Sequence, residues 1–125
     1  MTLTTPSTLS IAEVAELIGV STHTLRYYER EGLMRDPVAR SSATHRRYDE
    51  DDIGWLRFIT RLRASAMPIA RIKQYTVLAR QGDDTTEARL DLLRSHRAEV
   101  VAQLEEIRHS LEVIDAKIDH YEQSL

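Results

Sequence analysis

IAEVAELIGVSTHTLRYYEREGL, Ile11 to Leu33, decides how this chain folds. Ile11, Val14, Ala15 and Ile18 recur at helical spacing, and Ser10 with Glu13 makes a capping-box pattern. A first helix therefore runs from about Ile11 to Ile18. Gly19 is its C-terminal stop, and Ser21 is the N-cap of a second helix that starts at about Thr22. Two short helices joined by a tight turn containing glycine make a helix-turn-helix, whose second helix is shaped to enter a major groove.

Helical geometry divides the side chains of that second helix between two faces. Leu25, Tyr28 and Gly32 or Leu33 fall on one; His23, Arg26, Tyr27 and Arg30 fall on the other, with Thr22 at the helix start. The adjacent tyrosines thus point different ways. Tyr28 packs on the first helix with its hydroxyl reaching a polar partner, and Tyr27 stays exposed beside Arg26. An arginine forks onto guanine or phosphate, and a tyrosine hydroxyl bonds a phosphate oxygen. Thr22, His23, Arg26, Tyr27 and Arg30 are the candidate DNA contacts on this helix.

Downstream, MRDPVARSSATHRRYDEDDI, Met34 to Ile53, reads as a turn followed by a short β-ribbon. Arg40, Arg46 and Arg47 lie along this wing, placed to straddle a phosphate backbone. The tip has no glycine, so a type I′ turn is not expected there. Asp49 caps a third helix with the buried stripe Ile53, Leu56, Ile59 and Leu62, joined in the core by Trp55 and Phe58. Pro68 suits the first position of a fourth helix that carries Ile69, Ile72 and Tyr75 and ends at Gly82.

From about Asp84 the pattern becomes the most regular in the chain. Leu90, Leu93, Arg97, Val100, Leu104, Ile107, Leu111, Ile114, Ile118, Tyr121 and Leu125 alternate by three and four, a heptad interrupted only by Arg97. A lone amphipathic helix cannot bury such a stripe. It needs a partner helix, most simply from a second copy, so Leu104, Ile107, Leu111, Ile114, Ile118 and Tyr121 are the dimerisation candidates. Beside the seam, Arg94 and Arg108 in its first half face Asp115 and Glu122 in its second if the pair is antiparallel. Residues 1–9 read as a loose tail, 10–82 as the head, and 83–125 as the dimerisation helix.

Composition agrees and narrows the function classes. Hydrophobic content of 42% with 30% charged residues describes a folded soluble chain without a membrane span or a signal peptide, cytoplasmic by default. With no cysteine, disulfides and thiolate metal sites are excluded. The net charge of −3 averages unlike halves, because residues 1–82 carry twelve basic against nine acidic residues and 83–125 carry five against eleven. Arg57 to Arg80 holds six basic residues and no acidic one, a basic face for a polyanion. No Ser/His/Asp set, glycine-rich phosphate loop or zinc-ligand spacing supports an enzyme or a cofactor. His96, His109 and His120 do not share one helix face and read as surface histidines; imidazole and carboxylate sensing of a metal across a dimer is the alternative.

The chain resembles the MerR family of transcriptional regulators. The motifs that carry the likeness are IAEVAELIGVSTHTLRYYEREGL, then HRRYDEDDI, then LRFITRLRASAMPIARIKQY, followed by the long helix. The resemblance implies a mainly α fold: a winged helix-turn-helix head and an antiparallel coiled coil in a homodimer on a palindromic promoter site in double-stranded DNA. It implies bending and untwisting of an overlong promoter spacer, so that RNA polymerase is affected indirectly. By motif match, Arg26 and Tyr27 contact the recognition groove and backbone, Arg46 and Tyr48 act from the wing, and the basic third and fourth helices, Arg63 among them, supply a second wing. Ala66 stands where the family commonly has glycine. The chain stops at the coiled coil, with no large drug-binding domain expected, and a small-molecule effector is admitted without any residue that identifies it. The alternative function is a coiled-coil interaction module or architectural DNA-binding protein without ligand-responsive activation.

Overall fold

The computed structural model describes residues 8–36, 39–40 and 46–125. Among them, strand β1 (Leu9–Ser10) leads into helices α1 (Ile11–Ile18) and α2 (Thr22–Arg30), strands β2 (Ala39–Arg40) and β3 (Arg46–Tyr48), then helices α3 (Glu50–Ala64), α4 (Ile69–Arg80) and α5 (Thr86–Gln123). A short 3-10 turn at Asp83–Thr85 precedes α5. The chain divides into two compact units, residues 1–89 and 90–125.

Local chemistry accounts for the helix ends. Ser10 and Glu13 satisfy each other's backbone amides at 2.9 and 3.2 Å, the reciprocal capping box expected from the sequence. The two bonds from Ser10 hold the Glu13 carboxyl below its usual range. Gly19 closes α1 at φ 87°, a left-handed conformation glycine adopts without a Cβ clash, and its amide donates to Ala15 O. Ser21 Oγ accepts from the Thr24 amide to start α2. Asp49 and Asp52 form a second reciprocal box at the start of α3.

The sheet has the order β1-β3-β2, both pairings antiparallel, with Leu9 opposite Tyr48 and Arg40 opposite Arg46. The sequence reading places Leu9 in the loose tail; here it pairs with β3, and Arg47 reaches across to Thr8. Two residues are too few to show the alternation by which strands are recognised. The wing tip at 41–45, where a type I′ turn was not expected, lies outside the described residues, as does the tail at 1–7.

Val14 of α1, Leu25 and Tyr28 of α2, Tyr48 of β3, Leu56 and Ile59 of α3 and Ile72 of α4 converge in the core. Leu33 and Met67 join it from the turns. The third-to-fourth helix turn passes through Ala66 at φ 72°, left-handed in a residue with a Cβ. Pro68 stands just before α4 as its cap rather than at its first helical position. The second unit continues α5 as one helix, whose 38 residues span about 57 Å at 1.5 Å per residue. Its seam side chains Leu104, Ile107, Leu111, Ile114, Ile118 and Tyr121 are 49–67% exposed. His96, read as a surface residue, is buried, with Nδ1 3.9 Å from Glu99.

Candidate nucleic-acid interface

Packing of Leu25 and Tyr28 inward turns the opposite face of α2 to solvent. His23, Arg26 and Arg30 are exposed there, while Thr22 and Tyr27 are half-buried. Tyr28 is buried as the helical geometry predicts, whereas Tyr27, expected to be exposed, is half-buried; the two ring centroids are 6.2 Å apart and the rings tilted by 53°. Burial pushes the Tyr28 phenol up, opposed in part by Thr60 and the charge of Arg63.

The wing residues divide differently. Arg40 and Arg46 occupy facing positions of β2 and β3. Arg47 is tied to the chain's first strand: its Nε donates to Thr8 Oγ1 at 3.0 Å and its Nη2 to Thr8 O at 2.7 Å, which pins the N-terminal strand to the sheet. Tyr48, expected to work from the wing, is 1% exposed. A ring sealed in the core cannot reach a phosphate, so Tyr48 does not stand at the wing surface as expected; Arg47 is half-buried and directs two of its donors to Thr8. Arg63 is exposed at the end of α3 and donates to Met67 O at 3.3 Å, so it both braces the left-handed turn and presents charge beside it.

What sets α2 in place is a group of bonds that spacing alone does not reveal. The turn after α2 runs through Gly32 at φ 73°, and the Leu33 amide donates to Tyr28 O. Trp55 Nε1 of α3 donates to Leu33 O at 2.6 Å, and the Thr76 hydroxyl of α4 approaches the same oxygen at 3.4 Å. Arg80, in the last turn of α4, donates to the carbonyls of Gly32, Met34 and Arg35. Lys73 pairs with Glu31 at 2.8 Å. Two helices thus clamp the C-terminal end of α2. The indole N–H hinted at this, since a packed tryptophan usually finds an acceptor; nothing in the sequence marks Arg80. Trp55 and Phe58, expected in the core, are half-buried and pack against Tyr75 with centroids at 5.8 and 5.5 Å. Among the described residues no cluster of His, Asp and Glu is arranged to hold a metal, and no helix is long and apolar enough to cross a membrane.

A helix-turn-helix with a three-stranded wing and an exposed basic second helix defines a winged helix-turn-helix DNA-binding protein. The description "MerR HTH family regulatory protein" matches residues 9–77, and "MerR, DNA binding" matches residues 53–123. An uncharacterised HTH-type transcriptional regulator of Haemophilus influenzae is 33% identical over 94% of this chain and 86% of its own length. The regulator AdhR of Bacillus subtilis is 42% identical over 74% of this chain and 66% of its own length. Among solved structures, HiNmlR, a MerR family regulator lacking the sensor domain and bound to promoter DNA, superposes with a TM-score of 0.85 at 33% identity, covering 94% of this chain and 92% of that one. A MerR family regulator from Listeria monocytogenes gives 0.84 at 36% identity, covering 91% and 86%. The chain belongs to the MerR family and is a DNA-binding transcriptional regulator.

Proposed function

We propose that the protein acts as a homodimer on a palindromic promoter site and distorts an overlong spacer, so that RNA polymerase responds to the shape of the DNA rather than to direct contact. The observation that carries the dimer is the apolar seam of α5, whose members from Leu104 to Tyr121 stand 49–67% exposed along one helix. Side chains of this kind at heptad spacing are stable in water only against a second helix. The charge order along the seam favours antiparallel pairing, which relates two heads by a two-fold axis, the symmetry of a palindrome. In this reading residues 10–82, extended by Leu9, form the DNA-binding head and 83–125 the dimerisation helix.

Thr22, His23, Arg26, Tyr27 and Arg30 of α2 are the groove and backbone contacts, Arg40 and Arg46 act from the wing, and Arg63 acts from the second wing. Arg47 and Tyr48 support that surface from behind. Bending a site of this size costs about 1–6 kcal/mol, which phosphate contacts from these arginines offset. The promoter-bound relative supports the reading by its family and by the fold it shares over most of both chains. The deciding experiment recovers genomic fragments bound by the protein and reads their spacer lengths. Overlong promoter spacers with centred palindromes are expected; sites scattered outside promoters would instead make the protein architectural.

A further inference from the structure

A concavity lies in the head between the segment after α2, the first turns of α3 and Tyr75 of α4. It has a volume of about 550 Å³, within the ~300–1,000 Å³ typical of small-molecule sites. One wall is aromatic. Trp55 stacks on Tyr75 with an interplanar angle of 22°, and Phe58 meets the same ring at 54°; all three line the cleft. The rim is acidic, with Asp36, Glu50, Asp51 and Asp52 set against Arg35.

Part of this acidity has a local purpose, since Asp52 belongs to the helix cap. Capping does not account for the whole cluster, because Asp36 reaches the same cleft from the segment after α2 and is exposed together with Glu50 and Asp51. The crowding is felt electrostatically: desolvation is the first cause raising the Asp52 carboxyl above its usual value, and the charges of Asp49 and Asp36 add to it. Aromatic faces are electron-rich and attract cations, and carboxylates at the rim add net charge of the same sign.

We propose that this cleft binds a small organic cation, a quaternary or protonated amine with an apolar body, held against the rings of Trp55, Phe58 and Tyr75 with its charge toward Glu50, Asp51 and Asp36. The site has a route to function. The indole that lines it also holds the Leu33 carbonyl at the end of α2, so an occupant that tilts Trp55 pulls on the segment that orients the recognition helix. This consequence, unlike the binding itself, rests on α2 being the DNA-reading element.

Trp55 is the single tryptophan of the chain and reports on the cleft directly. Full-length protein without DNA is titrated with choline and with benzyltrimethylammonium, each beside its uncharged tert-butyl analogue, and tryptophan emission is followed. A saturable change with the ammonium compounds and none with the analogues is expected. The single variant Phe58→Leu should weaken binding roughly 3- to 30-fold, the range of one cation–π contact, and the double variant Glu50→Gln with Asp51→Asn roughly 2- to 30-fold, the range of two exposed ion pairs. Circular dichroism verifies that both remain folded, and the exposed acidic pair keeps the test decisive if Phe58→Leu does not fold. An absent response beyond millimolar ammonium overturns the proposal, as does an equal response to the neutral analogues, which marks a merely apolar patch. Emission that changes with protein concentration alone also overturns it, by showing that a second copy covers the cleft. With no DNA present, these failures leave the promoter reading standing, and a failure of that reading leaves the binding result intact.

Discussion

Truncating one side chain of the α5 seam tests the dimer that the proposed function requires. Leu111 is 55% exposed in the single chain. Full burial of a leucine contributes about 1.5–3 kcal/mol, so covering its exposed half against a partner contributes about 0.8–1.6 kcal/mol. A two-fold dimer carries the substitution twice, and Leu111→Ala should therefore weaken self-association by about 2–3 kcal/mol. That corresponds to a dissociation constant raised roughly 30- to 150-fold. Sedimentation equilibrium over a concentration series measures the shift, and anisotropy on a palindrome compared with a half-site asks whether affinity for the full site falls with it. Glu112→Ala, next along the helix and off the seam, is the control and should leave association nearly unchanged. A wild-type chain that sediments as a monomer, or a Leu111→Ala dimer as tight as wild type, would refute the reasoning.

Other substitutions separate contact from support. Arg26→Ala should cost about 1–3 kcal/mol of specific DNA binding and relax preference at the base it reads, measured by competition with substituted sites. Tyr48→Phe, altering a ring that is 1% exposed, should instead leave sequence preference and salt slope alone. Ala66→Gly should stabilise the head by about 0.5–1 kcal/mol, because φ 72° strains an alanine and not a glycine, with part of the gain lost to the freer unfolded chain; an unchanged denaturation midpoint would show that the turn carries no strain. For Asp52 the folded carboxyl lies above the ordinary 3.8. The unfolded chain thus releases this proton first, and the group's contribution to stability falls as pH rises from 3.8 through the folded value. Asp52→Asn should remove that fall in a series of denaturant midpoints across acidic pH.

Much of this protein is determined locally, and that part was legible in the sequence. Ser10 and Glu13 are three apart, Gly19 follows the last periodic residue and Ser21 precedes the next, so α1, its stop and the start of α2 depend on contacts within a single turn. The same holds for the split of Tyr27 from Tyr28, set by helical rotation, and for the heptad of α5, which repeats without interruption except at Arg97. Strand β1 and the fates of Arg47 and Tyr48 were not legible, because two paired residues leave no periodic trace and their partners lie some 39 positions away in the chain. Tyrosine and arginine next to each other in a wing look like contacts until packing assigns one to the core and the other to Thr8.

The sequence by itself determined the order of helices, their caps, the basic face of α2 and the apolar heptad of α5, since each follows from residues close in the chain or evenly repeated along it. Only the tertiary structure decided how α2 is held. Arg80, Thr76 and Trp55 meet its C-terminal turn from 22 to 48 residues away, and the same folding gathers Asp36 with Trp55 and Tyr75 around one cleft. Such meetings depend on side-chain reach across separate elements, for which a linear pattern has no signal.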